Sequence, residues 1–164
     1  MAAAEILERV STLVVDKTGT LTTGKLAVSR LAPVEGVPPA ELLYFSASAE
    51  KYSNHPTAKA LQDISTEAGV EVAEPKDFAE TAGRGIRAKV DGRDVLVGRA
   101  QWLKDNGIKE DINKSVDLNE TEGFSLIHVA REGKYIGWIG LRDEVRADAK
   151  DSLAALMQSG VRRI

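Results

Sequence analysis

The 164-residue chain has no cysteine and only two histidines, His55 and His128. Without thiols there is neither a disulfide framework nor a thiolate metal site, which agrees with a reducing compartment. Two imidazoles alone do not build a structural zinc site. Long apolar runs are also missing. Hydrophobic residues make up 43% of the chain but are dispersed among 29% charged residues, and no stretch approaches the roughly 18 to 20 consecutive apolar residues that span a bilayer. Any membrane-spanning part therefore lies outside this sequence. Nor is there a surplus of positive charge. At a formal charge of -3 the chain lacks the basic stripe of a nucleic-acid binder, so no nucleic-acid partner is expected. The opening Met1 to Ala4 has neither the basic start nor the apolar core of a signal peptide and reads as an artificial start leading into a short helix.

The length suits one ordinary domain, or one domain plus part of another. Ser11 to Val15 reads as a buried strand that delivers Asp16 into a loop. Leu26 to Leu31 is extended, and Glu35 to Pro39 carries turn chemistry. Two helices follow: Ala40 to Glu50, with Leu42, Phe45 and Ala49 on one face, and Thr57 to Ala68, with Leu61, Ile64 and Ala68. Pro56 suits a first helical turn, which puts His55 at the helix entrance. Ile86, Ala88 and Val90 then alternate, Asp91-Gly92 turns the chain, and Val95 to Val97 returns it as a hairpin. A helix over Ala100 to Asn106 stops at Gly107. The pattern next predicts a helix over Glu110 to Asn119 and strands over Ser125 to Ala130 and Tyr135 to Leu141, turning at Glu132-Gly133. A last helix, Arg146 to Ser159, places Ala149, Leu153, Leu156 and Met157 on one face and stops at Gly160. Val161 to Ile164 reads as the start of another strand, so the α/β unit is expected to continue beyond the chain.

Asp16 is the leading candidate for chemistry. A carboxylate at a strand end, followed by a Thr- and Gly-bearing loop, can attack phosphorus while loop amides hold the phosphate oxygens. The plain alternative is an aspartate capping a turn. Glu50 and His55 form a second constellation through Glu50-Lys51-Tyr52-Ser53-Asn54-His55-Pro56, where His55 read alone is a helix cap or packing residue. Gly83-Arg84-Gly85, followed by Ile86, permits close approach of a flat ring to the backbone or is simply a loop before a strand.

The run Asp16-Lys17-Thr18-Gly19-Thr20, continued by Leu21 and Thr22, resembles the phosphorylation motif of P-type ATPases. The spacing from Glu50 through Ser53-Asn54-His55-Pro56 resembles the signature of their heavy-metal (CPx-type) group. By that resemblance Asp16 is the nucleophile that takes the γ-phosphate of ATP and is a Mg2+ ligand. Thr18 gives its carbonyl to Mg2+ and its hydroxyl to phosphate. Glu50, His55, Gly83, Gly85 and Ile86 lie at the adenine end of the ATP site, with His55 orienting the base. Val95 to Gly98 resembles the family's Gly-Asn segment, which adds Gly98 to the nucleotide site, but Arg99 stands where asparagine is expected and meets either phosphate or solvent. Trp102 reads as core. The segment from Asp143 to Arg146 resembles the point of re-entry into the phosphorylation domain; as bare charges both residues belong to a solvated face.

The implied architecture is α/β: an antiparallel sheet with flanking helices, the nucleotide-binding domain at residues 27–139, inserted in a truncated haloacid-dehalogenase-like phosphorylation domain at 1–26 and 140–164. The implied function is that of an ATP-binding piece of an ATP-driven heavy-metal cation pump, lying on the cytoplasmic face of a membrane without touching it. Its partners are ATP and the membrane, actuator and remaining phosphorylation domains of the same pump. The family's Thr-Gly-Asp and Gly-Asp-Gly segments do not occur, so the isolated chain is expected to bind ATP without forming much phosphoenzyme. An isolated nucleotide-binding module is the alternative. A phosphatase of the dehalogenase superfamily is disfavoured by Thr18, which occupies the position of the acid-base aspartate and cannot shuttle protons near neutral pH.

Overall fold

The computed structural model describes residues 10–112, 116 and 121–163. The helix expected over Glu110 to Asn119 falls largely outside these residues, as do the expected opening helix and Ile164. Two compact units emerge, one of Leu26–Arg142 and one combining Met1–Lys25 with Asp143–Ile164. The elements in chain order are β1 (Thr22–Pro33), α1 (Pro39–Ala49), α2 (Pro56–Glu67), β2 (Lys76–Thr81), β3 (Gly85–Val90), β4 (Arg93–Gly98), α3 (Ala100–Asp105), β5 (Ser125–Arg131), β6 (Lys134–Val145) and α4 (Ala149–Gln158). The sheet runs β1-β6-β5-β4-β3-β2, and β2 through β6 form an antiparallel meander. The fold class is the expected one.

Turn chemistry sets this meander. Asp91 and Gly92 have φ of 51° and 76°, and Glu132 and Gly133 have φ of 51° and 74°. Two successive left-handed residues give the hairpin turn whose twist matches the flanking strands. In the β3–β4 ladder Ala88 faces Val95 and Ile86 faces Val97, so alternation puts these apolar side chains on one face. There Ala88, Val90, Val95, Val97, Val129 and Ile139 pack against α1 and α2. Leu96, Trp102, Leu103, Ala130 and Tyr135 gather in a separate cluster with α3.

Helix α1 is more deeply enclosed than its spacing of three and four implies. Leu42, Leu43, Phe45 and the run Ser46 to Ala49 are all buried, because the sheet covers one side and α2 the other. The polar members are satisfied: Ser46 Oγ donates to the Leu43 carbonyl at 3.0 Å and Ser48 Oγ accepts from Ala73 N at 3.0 Å. Strand β2 is absent from the sequence reading. It is an edge strand whose residues are mostly exposed, so it carries little of the alternation that reveals a half-buried strand.

The second unit departs further. Ser11 to Val15 is not a buried strand: a single parallel bridge joins Thr12 to Arg163, and Val14 is 92% exposed. Parallel strands owe their burial to cover on both faces, and among the described residues this one has a single bridged neighbour. Helix α4 starts at Ala149 rather than Arg146, after a turn in which Ala149 N donates to the Arg146 carbonyl. Of its expected apolar face only Ala149 is buried, while Leu156 and Met157 are 37% and 58% exposed. No described helix is long and apolar enough to cross a membrane.

Candidate functional site

Glu50 ends α1, where its backbone N donates to the Ser46 carbonyl at 3.0 Å. The side chain is enclosed, with the residue 6% exposed. Burial pushes its carboxyl up to about 7; the nearby Glu80 charge acts in the same direction and a hydrogen bond with Ser53 against it. Among the described residues Glu50 Oε2 has no hydrogen-bond partner. A buried carboxylate oxygen without a donor is costly, so such an atom points to a ligand.

Five residues on, His55 caps α2. Its Nδ1 accepts from Thr57 N at 3.2 Å and lies 2.9 Å from Thr57 Oγ1, and Pro56 occupies the first helical turn, where its missing N–H costs nothing. The capping reading of His55 therefore holds. It does not displace the binding reading, because capping engages Nδ1 and leaves the Nε2 edge of an exposed ring. Ser53 ties the two residues together. Its N donates to the Glu50 carbonyl at 2.9 Å, and its Oγ accepts from His55 N at 3.2 Å. Ser53 and Glu80 act on the candidate residues without having been singled out from sequence; a serine two residues before the helix cap was the available signal for the first.

The glycines have different reasons to be glycine. Gly83 sits in the β2–β3 turn at φ +69° with open space where a Cβ would stand, so its need is conformational. Gly85 and Gly98 are Cα partners in the β3–β4 ladder. A Cβ on Gly85 would lie 2.5 Å from Trp102 Cε3 and 2.6 Å from the Val97 carbonyl; one on Gly98 would lie 2.5 Å from the Arg84 carbonyl. The close approach these two glycines permit among the described residues is that of Trp102 and of neighbouring backbone. Trp102 is buried as expected.

Glu50, His55, Gly83, Gly85, Ile86 and Gly98 all line one cleft of about 230 Å3. Asp16 and Thr18 belong to the other unit. There Asp16 is exposed, and its side chain makes no capping bond to the turn that follows. Thr22 holds that turn: its buried Oγ1 accepts from Gly19 N at 3.2 Å and donates to the Lys17 carbonyl at 3.3 Å. Gly19, at φ +80°, supplies the left-handed step. Arg146 fastens the loop from outside, through its guanidinium to the Gly19 carbonyl at 3.1 Å and its N to the Leu21 carbonyl at 3.0 Å. The Thr18 hydroxyl approaches Asp143 Oδ2 at 3.4 Å. Asp143 and Arg146, read from sequence as a solvated face at the point of re-entry, are half-exposed and exposed and also hold the loop, and the plain turn-capping reading of Asp16 does not describe its side chain.

A family profile for haloacid dehalogenase-like hydrolases matches residues 10–164. The chain belongs to that family. Close matches of this haloacid dehalogenase-like chain are heavy-metal P-type ATPases. A silver exporting P-type ATPase of Salmonella typhimurium is 37% identical over 161 residues, 98% of this chain and 20% of that protein. A zinc-transporting ATPase of Synechocystis sp. is 34% identical over 157 residues, 96% of this chain and 21% of that one. The chain thus spans about a fifth of the length of these relatives. Among solved structures, a zinc-transporting PIB-type ATPase in its E2.Pi state superposes with a TM-score of 0.82 at 33% identity, covering 99% of this chain and 26% of that one. The N-domain of a copper-transporting P-type ATPase matches at a TM-score of 0.60 and 32% identity, covering 69% of this chain and 97% of the N-domain.

Proposed function

We propose that this chain is the ATP-handling part of an ATP-driven heavy-metal cation pump, in which the cleft of the Leu26–Arg142 unit holds the nucleotide and Asp16 receives its γ-phosphoryl group. The observation that carries the reading is Glu50 Oε2, a buried acceptor without a donor among the described residues, in a cleft that also presents His55 and the Gly83 to Ile86 turn. The amino group of an adenine supplies the missing donor, and the imidazole of His55 orients the base without acting as a general base.

The exposed carboxylate of Asp16, uncommitted to its own turn, suits the nucleophile. One of its oxygens bonds to the γ-phosphorus as the bond from that phosphorus to the β–γ bridging oxygen breaks, and ADP leaves with the electron pair. A threonine at position 18 offers no acid-base aspartate to hydrolyse the acyl phosphate, so the intermediate persists. Asp16 and the Thr18 carbonyl are hard oxygen donors, few in number, as Mg2+ accepts when water and phosphate complete its shell. Bound there, Mg2+ supplies positive charge to the transferring group. Thr22 and Arg146 keep the loop in shape for that event. In the whole pump this part faces the cytoplasm and works with the membrane, actuator and remaining phosphorylation domains.

Titration of the chain with ATP, followed by backbone amide chemical shifts, tests the reading. The largest shifts are expected at Glu50, His55 and Gly83 to Ile86, with Asp151 to Ser159 quiet. Largest shifts anywhere else reject it.

A further inference from the structure

We infer that Arg84 and Arg99 form a polyphosphate-binding rim on the same cleft, so that the nucleotide is oriented by charge, with its base toward Glu50 and Glu80 and its anionic tail toward the two guanidiniums. The inference rests on the nucleotide reading above and adds two residues to it.

The sheet brings the two arginines together. Gly85 and Gly98 are register partners, and Arg84 and Arg99 are the residues that flank this pair on the side where the ladder ends. One further bond, Arg99 N to the Arg84 carbonyl at 2.9 Å, closes the ladder there. Both residues line the cleft and both are exposed. Because the bond between them uses backbone atoms only, both side chains remain available.

Other arginines of this unit contrast with them. Arg131 pairs with Glu41, Arg87 donates to Asn106 at 2.9 Å, and Arg142 donates to the Glu122 carbonyl and stacks on Phe124. Arg93 and Arg30 lie over the rings of Phe45 and Trp138. Among the described residues, neither Arg84 nor Arg99 has an ion-pair or side-chain hydrogen-bond partner of this kind. The carboxylates of the cleft do not engage them either. Glu80, not an arginine, is the charged group that acts on Glu50. The cleft therefore holds two carboxyl groups and two guanidiniums that do not pair with one another, a bipolar lining that matches an amino-bearing base joined to a polyanion. Guanidinium adds both charge and a fork of donors to phosphate, neither of which the asparagine expected at position 99 would provide.

The test compares ATP with adenosine by calorimetric titration of the wild-type chain, the Arg84→Gln/Arg99→Gln double variant and the Arg84→Lys/Arg99→Lys double variant, with circular dichroism to verify folding. The glutamine variant is expected to lose about ten-fold or more in ATP affinity, equivalent to two charge-assisted contacts of modest strength, while adenosine affinity stays within about two-fold. The lysine variant, which keeps the charge, is expected to retain most of the ATP affinity. If ATP affinity is unchanged in the glutamine variant, or ATP and adenosine weaken alike, the inference is overturned while nucleotide binding stands. If the folded wild-type chain binds neither ligand, the nucleotide reading falls and the inference with it.

Discussion

The two units of the chain are held in different ways. In Leu26–Arg142, Leu42, Leu61, Val95 and Ile139 are wholly enclosed, and the sheet separates two apolar clusters. In the unit that carries Asp16, Val14, Val145 and Met157 stand largely in solvent, and the loop is shaped by Thr22, Arg146 and the left-handed Gly19. Among the described residues of this unit, burial is confined to Thr22, Ala149 and Val161. A loop can be given a defined position without a core, because a few directional bonds supply it. They supply far less free energy than apolar burial does.

Truncating one apolar side chain in each unit should expose the contrast most sharply. Leu42→Ala removes a side chain with no solvent exposure from between α1 and the sheet and is expected to cost about 2 to 5 kcal/mol. Leu156→Ala, on the half-open face of α4, should cost less than about 1 kcal/mol. Urea unfolding of both variants measures the difference; equal costs would show that the two units are built alike.

The core-rich unit also contains the feature that weakens it. Glu50 has its carboxyl raised from 4.5 to about 7, chiefly by burial, so the folded state holds a proton that the unfolded chain has released between those two values. Stability therefore falls as pH rises from about 4.5 through 7 and stays reduced above that range. Glu50→Gln removes the ionisation and is expected to raise stability at pH 8 by about 3 kcal/mol, with most of the gain gone at pH 5. Urea midpoints at the two pH values check both sign and window.

A smaller effect is expected in the other unit. Thr22→Val keeps the shape but removes the acceptor for Gly19 N and the donor to the Lys17 carbonyl, at about 1 kcal/mol. Amide hydrogen exchange should quicken at Gly19 and stay unchanged at Val95 and Val97. Acceleration at those strand positions would mean that the loop's bonds also support the sheet.

What could be read in advance follows the same division. Asp91-Gly92, Glu132-Gly133 and Pro56 announce their structures because the constraint lies within the residue itself. The candidate cleft residues Glu50, His55 and Gly83 to Ile86 were grouped by their resemblance to a family signature, each alone having a plainer reading, and they line one cleft. Partnerships across long separations were not. Asp143 meets Thr18 from 125 positions away, and nothing local marks Arg146 as the residue that holds Gly19. Val14 failed for another reason: an apolar run records a capacity for burial, whereas burial itself requires a covering surface. The glycines at 85 and 98 line the same cleft as Glu50 and His55, but a missing side chain does not say what fills its place, and the neighbours here are Trp102 and adjacent backbone.

That last point bears on how the site would age. Gly85 and Gly98 are kept small by Trp102 and by adjacent backbone, so the fold needs both whether or not the cleft takes the nucleotide proposed above. Glu50, by contrast, burdens the fold through its burial, and Arg84 and Arg99 answer to no packing demand. Were the proposed nucleotide role lost, relaxed selection would erase positions 50, 84 and 99 first and leave Gly-x-Gly standing, a spelling that outlives its meaning.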